Sequence, residues 1–123
     1  MNILVINESK SLTNVMQTAL FDAGHNVKVI TDGITAYDYL TDNTPDLVIL
    51  DLMISYVTGY EIIEYIRKME HKYVKIILMT QVQLDKVIED AFELGIDDYM
   101  TVPFRKKELI ARVHRLSRYT LTV

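Results

Sequence analysis

Acidic side chains follow two of the apolar segments of this sequence. Asp51 comes directly after the run Leu47–Leu50, and Glu8 is separated from the run Ile3–Ile6 only by the neutral Asn7. Two carboxylates held close together repel each other, and a hard cation such as Mg²⁺ offsets the repulsion through oxygen ligands. An aspartate beside Mg²⁺ can also attack a phosphoryl group, because the metal neutralises charge on both partners.

Thr80 follows a third apolar run, Ile76–Met79, and its hydroxyl is placed to donate to a phosphoryl oxygen. The same residue types also fit a purely structural role. Acids at strand ends solvate loops or accept hydrogen bonds from the amides of helix N-termini. The spacing of Glu8, Asp51 and Thr80 leaves both interpretations open.

Five short runs of mostly branched apolar residues predict the strands that position these side chains. Helical spacing separates them, most clearly in the stripe from Leu12 to Ala23 that stops at Gly24. The predicted strands are Ile3–Ile6, Val27–Ile30, Leu47–Leu50, Ile76–Met79 and Tyr99–Val102.

Strands that are apolar at every position are buried on both faces, as in a parallel sheet covered by helices on each side. We therefore predict an α/β fold with a doubly wound, five-stranded parallel sheet flanked by five helices, flavodoxin-like, with strand order 2-1-3-4-5. In this order strands 1 and 3 are neighbours, so Glu8 and Asp51 converge at the carboxyl edge of the sheet, where such folds place their sites.

The composition fits one domain. The chain has 123 residues, of which 50% are hydrophobic and 24% charged, and it contains neither cysteine nor an apolar run of membrane-spanning length. We predict a domain over residues 1–119 and a tail at 120–123 that is typical of a truncated linker. Without cysteine, disulfides and thiolate metal sites are excluded, and a cytoplasmic location is the default.

Charge is unevenly distributed around the net value of −4. Residues 105–118 hold six of the 13 Lys and Arg residues against one acid, Glu108, whereas the remainder is strongly acidic. An acidic body is a poor binder of phosphate backbones, so the basic last helix favours solvent or a protein partner over nucleic acid.

The motifs together resemble the receiver domain of bacterial two-component response regulators. The resemblance extends from Met1 to about Tyr119 and is carried by the segments 3–8 (ILVINE), 46–53 (DLVILDLM), 77–80 (ILMT) and 95–104 (GIDDYMTVPF), together with Gly59, eight residues after Asp51.

This resemblance implies that a sensor histidine kinase donates a phosphoryl group to Asp51. It also implies that Mg²⁺ is held by Glu8, Asp51 and the backbone carbonyl of Met53, and that Thr80 and Tyr99 form the switch pair. In that pair the hydroxyl moves toward the phosphoryl group and the aromatic ring turns inward. No catalytic residue is expected beyond this self-modification, so the chain is not predicted to be an enzyme.

Four pocket positions depart from the family pattern. Asn7 stands where the family has a first carboxylate, and Val102 replaces the lysine that precedes Pro103. Ser55 replaces a proline, and Gln81 occupies the position where a small residue leaves the pocket open. A charge-assisted hydrogen bond contributes roughly 1.5 to 3 kcal/mol, so a phosphoryl group here lacks one of its main clamps. Together the four departures predict weakened, slow or abandoned phosphorylation and a weakened Mg²⁺ site.

The segment from Pro103 to Val113 resembles the winged-helix (OmpR/PhoB-like) subfamily, whose receivers form homodimers through helix 4, strand 5 and helix 5. This implies that Lys86 faces Glu108 of the partner and that Asp97 or Asp98 faces Arg112. Exposed pairs of this kind set register more than affinity. Pairing of these charges within one chain remains the alternative. DNA binding and transcription control would belong to a separate output domain.

Two mechanisms therefore compete within the family. Asp51 is either a residual phosphoacceptor, or the domain is a pseudo-receiver that dimerises without phosphate, which we favour because Asn7 and Val102 both weaken binding of the same charged ligand. The alternative from another class is a flavodoxin-like protein that binds flavin or another small molecule through Ser9, Ser11 and Thr13. The absence of glycine in that loop disfavours it.

Overall fold

A computed structural model of the chain describes residues 1–69 and 73–120, with side chains up to residue 117. Five strands alternate with five helices: β1 Asn2–Ile6, α1 Lys10–Asp22, β2 Asn26–Ile30, α2 Gly33–Asp42, β3 Leu47–Asp51, α3 Gly59–Lys68, β4 Lys75–Thr80, α4 Asp85–Leu94, β5 Asp98–Thr101 and α5 Lys106–Thr120. Of the predicted tail at 120–123, Thr120 ends α5 and residues 121–123 lie outside the described residues. No helix of the described ranges is long and apolar enough to cross a membrane.

The strands form one parallel sheet in the order β2-β1-β3-β4-β5, which confirms the predicted fold class. The register aligns Ile6 with Leu50 and Leu50 with Leu78. The carboxyl ends of β1, β3 and β4 are therefore level with one another, and the residues that follow them share one edge.

Both faces of the sheet are buried, as the continuous apolar runs predict. In β1, Leu4 and Ile6 belong to the apolar cluster beneath α2, α3 and α4. Ile3 and Val5 belong to the cluster beneath α1 and α5. Successive side chains of a strand thus pack into two different cores. Close packing on both faces makes the sheet a rigid support for the residues at its edge.

The helices on the two faces begin close to the sheet edge. Ser9 caps α1 by accepting a hydrogen bond from Leu12 N, and Thr58 caps α3 in the same way. Leu84, before α4, offers no such side-chain bond. At its other end α4 stops at Gly95, whose φ of 111° lies in the left-handed region that favours glycine.

The predicted fifth strand ends one residue early. Val102 N still donates to Thr80 O at 3.1 Å, but β5 stops at Thr101. The next residue, Pro103, has no N–H to continue the ladder, and the Val102–Pro103 peptide bond is cis.

Candidate functional site

The carboxyl edge brings together the residues singled out in the sequence. Asn7 and Glu8 follow β1, Asp51 ends β3 and Thr80 ends β4. Because β1 and β4 both pair with β3, these side chains surround Asp51. The predicted convergence of strand-end polar groups on one crevice is therefore present in the fold.

Asp51 is half-buried at the centre of this edge. Its Oδ2 accepts a hydrogen bond from Asn7 Nδ2 at 3.3 Å, and its Oδ1 accepts one from Met53 N at 3.0 Å. Burial raises the pKa of Asp51 above its usual range, and the negative charge of Glu8 raises it further. The bonds from Met53 and Asn7 oppose this shift only in part.

Asn7 is a buried polar residue of the pocket, with 3% of its surface exposed. Its Oδ1 accepts from Ser9 N at 2.8 Å, which leaves Nδ2 to face Asp51. The family's first carboxylate is thereby replaced by a hydrogen-bond donor. Asn7 satisfies part of the Asp51 charge and adds none of its own.

Glu8 is exposed and accepts a short hydrogen bond from the hydroxyl of Ser55. The carbonyl of Ser55 accepts from Gly33 N at 3.2 Å, so the loop between β3 and α3 is tied both to the β1 edge and to α2. The sequence marked Ser55 as a departure from proline, but it gave no signal that the hydroxyl reaches Glu8 across 47 residues.

Gly59 lets α3 begin directly behind the acceptor. A Cβ at this position would lie 2.8 Å from the carbonyl oxygen of Asp51 and 2.8 Å from the Cα of Leu52. Only glycine allows this approach, in which Gly59 N donates to Leu52 O at 2.9 Å. Close packing against Asp51 and Leu52 therefore explains why glycine stands eight residues after Asp51.

The donor set matches Mg²⁺ in kind. Glu8, Asp51 and the backbone carbonyl of Met53 offer the oxygen ligands that this ion takes. The set has two carboxylates, because Asn7 contributes an amide that is engaged with Asp51. Across residues 1–69 and 73–120 no group of three or more His, Cys, Asp or Glu side chains is arranged to hold a metal.

The predicted switch residues meet at the backbone of Val82. Thr80 is buried, and its Oγ1 accepts a hydrogen bond from Val82 N at 3.1 Å. Tyr99 is half-buried, packs against the core beneath α4 and donates its hydroxyl to Val82 O. Burial raises the pKa of the Tyr99 hydroxyl. Sequence reasoning missed Val82, because both contacts use backbone atoms and the residue type carries no signal.

The remaining pocket positions are apolar or turned to solvent. Val102 packs with Phe104 against the cluster beneath α5. Gln81 and Pro103 are exposed. A Val102 side chain offers no hydrogen bond to a ligand on Asp51, so the pocket has no cation at this position.

The charges predicted for a dimer face are paired within the chain. Arg112 bonds both carboxylate oxygens of Asp98, at 2.9 and 3.0 Å, and Glu108 at 3.2 Å. Lys86, on the first turn of α4, pairs with Asp90 at 3.0 Å. Within a single chain these charges therefore pair with one another, which is the alternative to pairing across a dimer.

Asp97 belongs to a different contact from Asp98. It accepts from Arg67 at 3.0 Å and from Ile76 N at 2.8 Å. Arg67 also donates to Gly95 O at 2.8 Å and to Val74 O at 2.7 Å, so it joins α3, β4 and the end of α4. This clamp was missed in the sequence, where Arg67 reads only as a basic residue in a last helical turn.

The comparisons agree with the geometry. A family model described as "Response regulator receiver domain" matches residues 3–114. The receiver domain of the Francisella response regulator 1452 is 27% identical, with a TM-score of 0.89 over 97% of this chain and 98% of its own. A two-component response regulator from Clostridium difficile is 25% identical, with a TM-score of 0.90 over 96% of each chain.

A third similar structure is described with a metal ion. The receiver domain of the sensor histidine kinase PA1611 from Pseudomonas aeruginosa is 27% identical, with a TM-score of 0.84 over 94% of this chain and 95% of its own. That protein has a magnesium ion coordinated in its active-site cleft.

Proposed function

The chain belongs to the response regulator receiver domain family, and we propose that it is an atypical receiver whose output does not require phosphorylation of Asp51. It would act by protein contacts on the face formed by α4, β5 and α5. As a receiver domain it takes part in two-component signalling and is not a typical enzyme.

The observation that carries this proposal is the hydrogen bond from Asn7 to Asp51. The amide satisfies one oxygen of the phosphoacceptor with a local donor, and Met53 N satisfies the other. An incoming phosphoryl group would have to displace part of this arrangement. It would then gain no charge-assisted bond from position 102, because valine stands there.

A weakened Mg²⁺ site is part of the proposal. Glu8, Asp51 and the carbonyl of Met53 would hold the ion, which would supply charge neutralisation at Asp51. Removal of the hydrogen bond from Ser55 to Glu8 would accompany binding by that carboxylate. The magnesium ion in the PA1611 receiver domain, which is 27% identical to this chain, supports this ligand set.

We further propose that two copies meet through α4, β5 and α5. Lys86 is exposed and would pair with Glu108 of the partner, while Asp98 and Arg112 are already adjacent within each chain. Exchange of the exposed pair between Lys86 and Asp90 for a pair between copies costs little, since a solvent-exposed ion pair contributes little to stability. A winged-helix output domain, with its DNA contacts, would be positioned by this dimer.

Intact-mass spectrometry after incubation with acetyl phosphate and Mg²⁺ tests the central claim, with Asp51→Asn as the control. We expect no adduct on the folded wild-type protein. An adduct that disappears in Asp51→Asn would contradict the proposal, because Asp51 would then be a working phosphoacceptor.

Sedimentation of Lys86→Glu tests the dimer face, with Lys107→Glu as the matched control. Both lysines are exposed, but Lys107 lies on the side of α5 that faces α1. We expect Lys86→Glu to weaken self-association and Lys107→Glu to leave it unchanged. Equal effects of the two variants would exclude this face.

A further inference from the structure

A cleft lies between α2 and α3, on a part of the surface that the receiver function does not use. Its volume is about 250 Å³, the scale of a small organic group. Its walls are two tyrosine rings, two carboxylates and one lysine: Tyr37, Tyr65, Glu61, Glu64 and Lys68.

The two tyrosine rings have a defined mutual geometry. Their centroids are 4.9 Å apart and their planes are inclined by 80°, so the edge of one ring meets the face of the other. In such a pair the faces of the edge-on ring take no part in the contact. The hydroxyl of Tyr65 lies 3.5 Å from Thr41 Oγ1, which holds this ring against α2.

The two carboxylates differ in their partners. Glu64 is paired with Lys68 at 2.9 Å, whereas Glu61 forms no ion pair with any residue of the described ranges. Both line the cleft together with Tyr37, and after burial their negative charges raise the pKa of its hydroxyl. The cleft therefore combines an aromatic surface with one carboxylate that is not neutralised.

We propose that this cleft binds the guanidinium group of an arginine side chain presented by a partner protein. A planar guanidinium stacks on an aromatic face and can bond a carboxylate through two N–H groups, which matches the tyrosine pair and Glu61. A free amino acid fits less well, since its own carboxylate would be repelled by Glu61 and Glu64. The contact does not involve Asp51, so it does not depend on the proposal above.

Lys68 is the internal competitor for this site. Its ammonium group forms an ion pair with Glu64 and places a positive charge beside any incoming cation. Removal of Lys68 would free the second carboxylate, so it is expected to strengthen binding. A purely structural role of Glu61, Glu64 and Lys68 predicts no such gain.

The test is an NMR titration that follows the ring signals of Tyr37 and Tyr65. The probe is N-acetylarginine amide, and the neutral isostere N-acetylcitrulline amide is its control at the same ionic strength. We expect saturating shifts with the arginine probe, weaker shifts with free arginine and none with citrulline. Equal shifts with arginine and citrulline would overturn the proposal.

Charge variants of the full chain sharpen the test. Glu61→Gln is expected to weaken binding about threefold or more, and Lys68→Gln to strengthen it about threefold, whereas the α4 variant Glu89→Gln leaves it unchanged. All three side chains are exposed, so the variants should remain folded. Weaker or unchanged binding by Lys68→Gln would contradict the assignment.

Discussion

At the carboxyl edge of the sheet, the half built on β1 and β3 holds charge, and the half built on β4 and β5 holds hydroxyl groups. In the first half Asp51 takes its hydrogen bonds from Asn7 and Met53, and Glu8 takes its bond from Ser55. In the second half, the side chains of Thr80 and Tyr99 each form a hydrogen bond with the backbone of Val82.

The side-chain hydrogen bonds of the described residues do not join these halves. A lysine at position 102 would bridge them by reaching from the end of β5 to a ligand on Asp51, but Val102 packs into the core. The residues predicted to form the switch pair, Thr80 and Tyr99, are thus in place, but no side chain connects them with Asp51 in the described part of the chain. The following variants either introduce such a connection or test whether the two halves are energetically independent.

The largest effect is expected from Val102→Lys. The new ammonium would give a phosphoryl group or its mimic a charge-assisted hydrogen bond, worth roughly 1.5 to 3 kcal/mol. We expect the affinity for beryllofluoride with Mg²⁺ to rise about tenfold or more. Calorimetric titration measures it, and Val102→Met serves as a control of similar length without charge. An equal gain in both variants would contradict the missing-bridge explanation.

Asn7→Asp should have the next largest effect. It replaces the amide that bonds Asp51 with a third carboxylate, which strengthens the metal site and increases repulsion without metal. We expect Mg²⁺ affinity to rise about tenfold, and the free energy of unfolding in EDTA to fall by about 1 kcal/mol. Denaturant unfolding with and without Mg²⁺ measures both. No change in Mg²⁺ response would mean that Asn7 does not limit the site.

The separation of the halves is tested by double-mutant cycles. Thr80→Val and Tyr99→Phe each remove one bond to Val82 and should cost about 1 kcal/mol in unfolding free energy. We expect these two changes to couple by about 0.5 kcal/mol or more. By contrast, Tyr99→Phe and Asp51→Asn should be additive within about 0.3 to 0.5 kcal/mol. Strong coupling of the second pair would show that the halves communicate.

The smallest effect is expected from Asp51→Asn in buffer without Mg²⁺. Burial and the charge of Glu8 raise the pKa of this carboxyl, so the folded state holds its proton more tightly than the unfolded chain does. Stability therefore falls as pH rises from the usual aspartate range through the raised folded pKa, and the penalty is complete above it. At pH 7 the variant should be more stable by about 0.5 kcal/mol, allowing for solvent screening.

This gain should disappear at low pH, where Asp51 is protonated in both folded and unfolded states. Thermal unfolding at pH 3 and pH 7 provides the comparison. The control is Asp46→Asn, the same substitution at another half-buried aspartate away from the site. A variant that is less stable than wild type at pH 7 would show that the hydrogen bonds to the carboxylate outweigh its burial.

Most of the fold could be predicted because continuous apolar runs and glycine stops are local signals. The stripe ending at Gly24 and the run Leu47–Leu50 mark elements whose limits the structure moves by only one or two residues. The position of Asp51 at the end of β3 follows directly from that run. The prediction of β5 to Val102 was wrong by one residue, because Pro103 ends the ladder.

Contacts between distant segments could not be predicted in the same way. The bond from Ser55 to Glu8 and the bonds from Arg67 to Gly95, Val74 and Asp97 depend on loop paths and side-chain reach, which leave no periodic trace in the sequence. The role of Val82 is carried by its amide and carbonyl, which every non-proline residue possesses. Only the three-dimensional arrangement identifies it.

The clamp of Arg67 gives α4 unequal ends. Its last turn is anchored, since Gly95 O is bonded to a guanidinium that also holds β4 and Asp97. Its first turn begins three residues after Val82, follows Leu84, which provides no side-chain cap, and is tied to α3 by a longer bond, from the Tyr60 hydroxyl to Val87 O at 3.3 Å. We therefore expect α4 to work as a lever with its fulcrum at Gly95, so that a small displacement of the Val82 segment is carried mainly by the residues around Lys86.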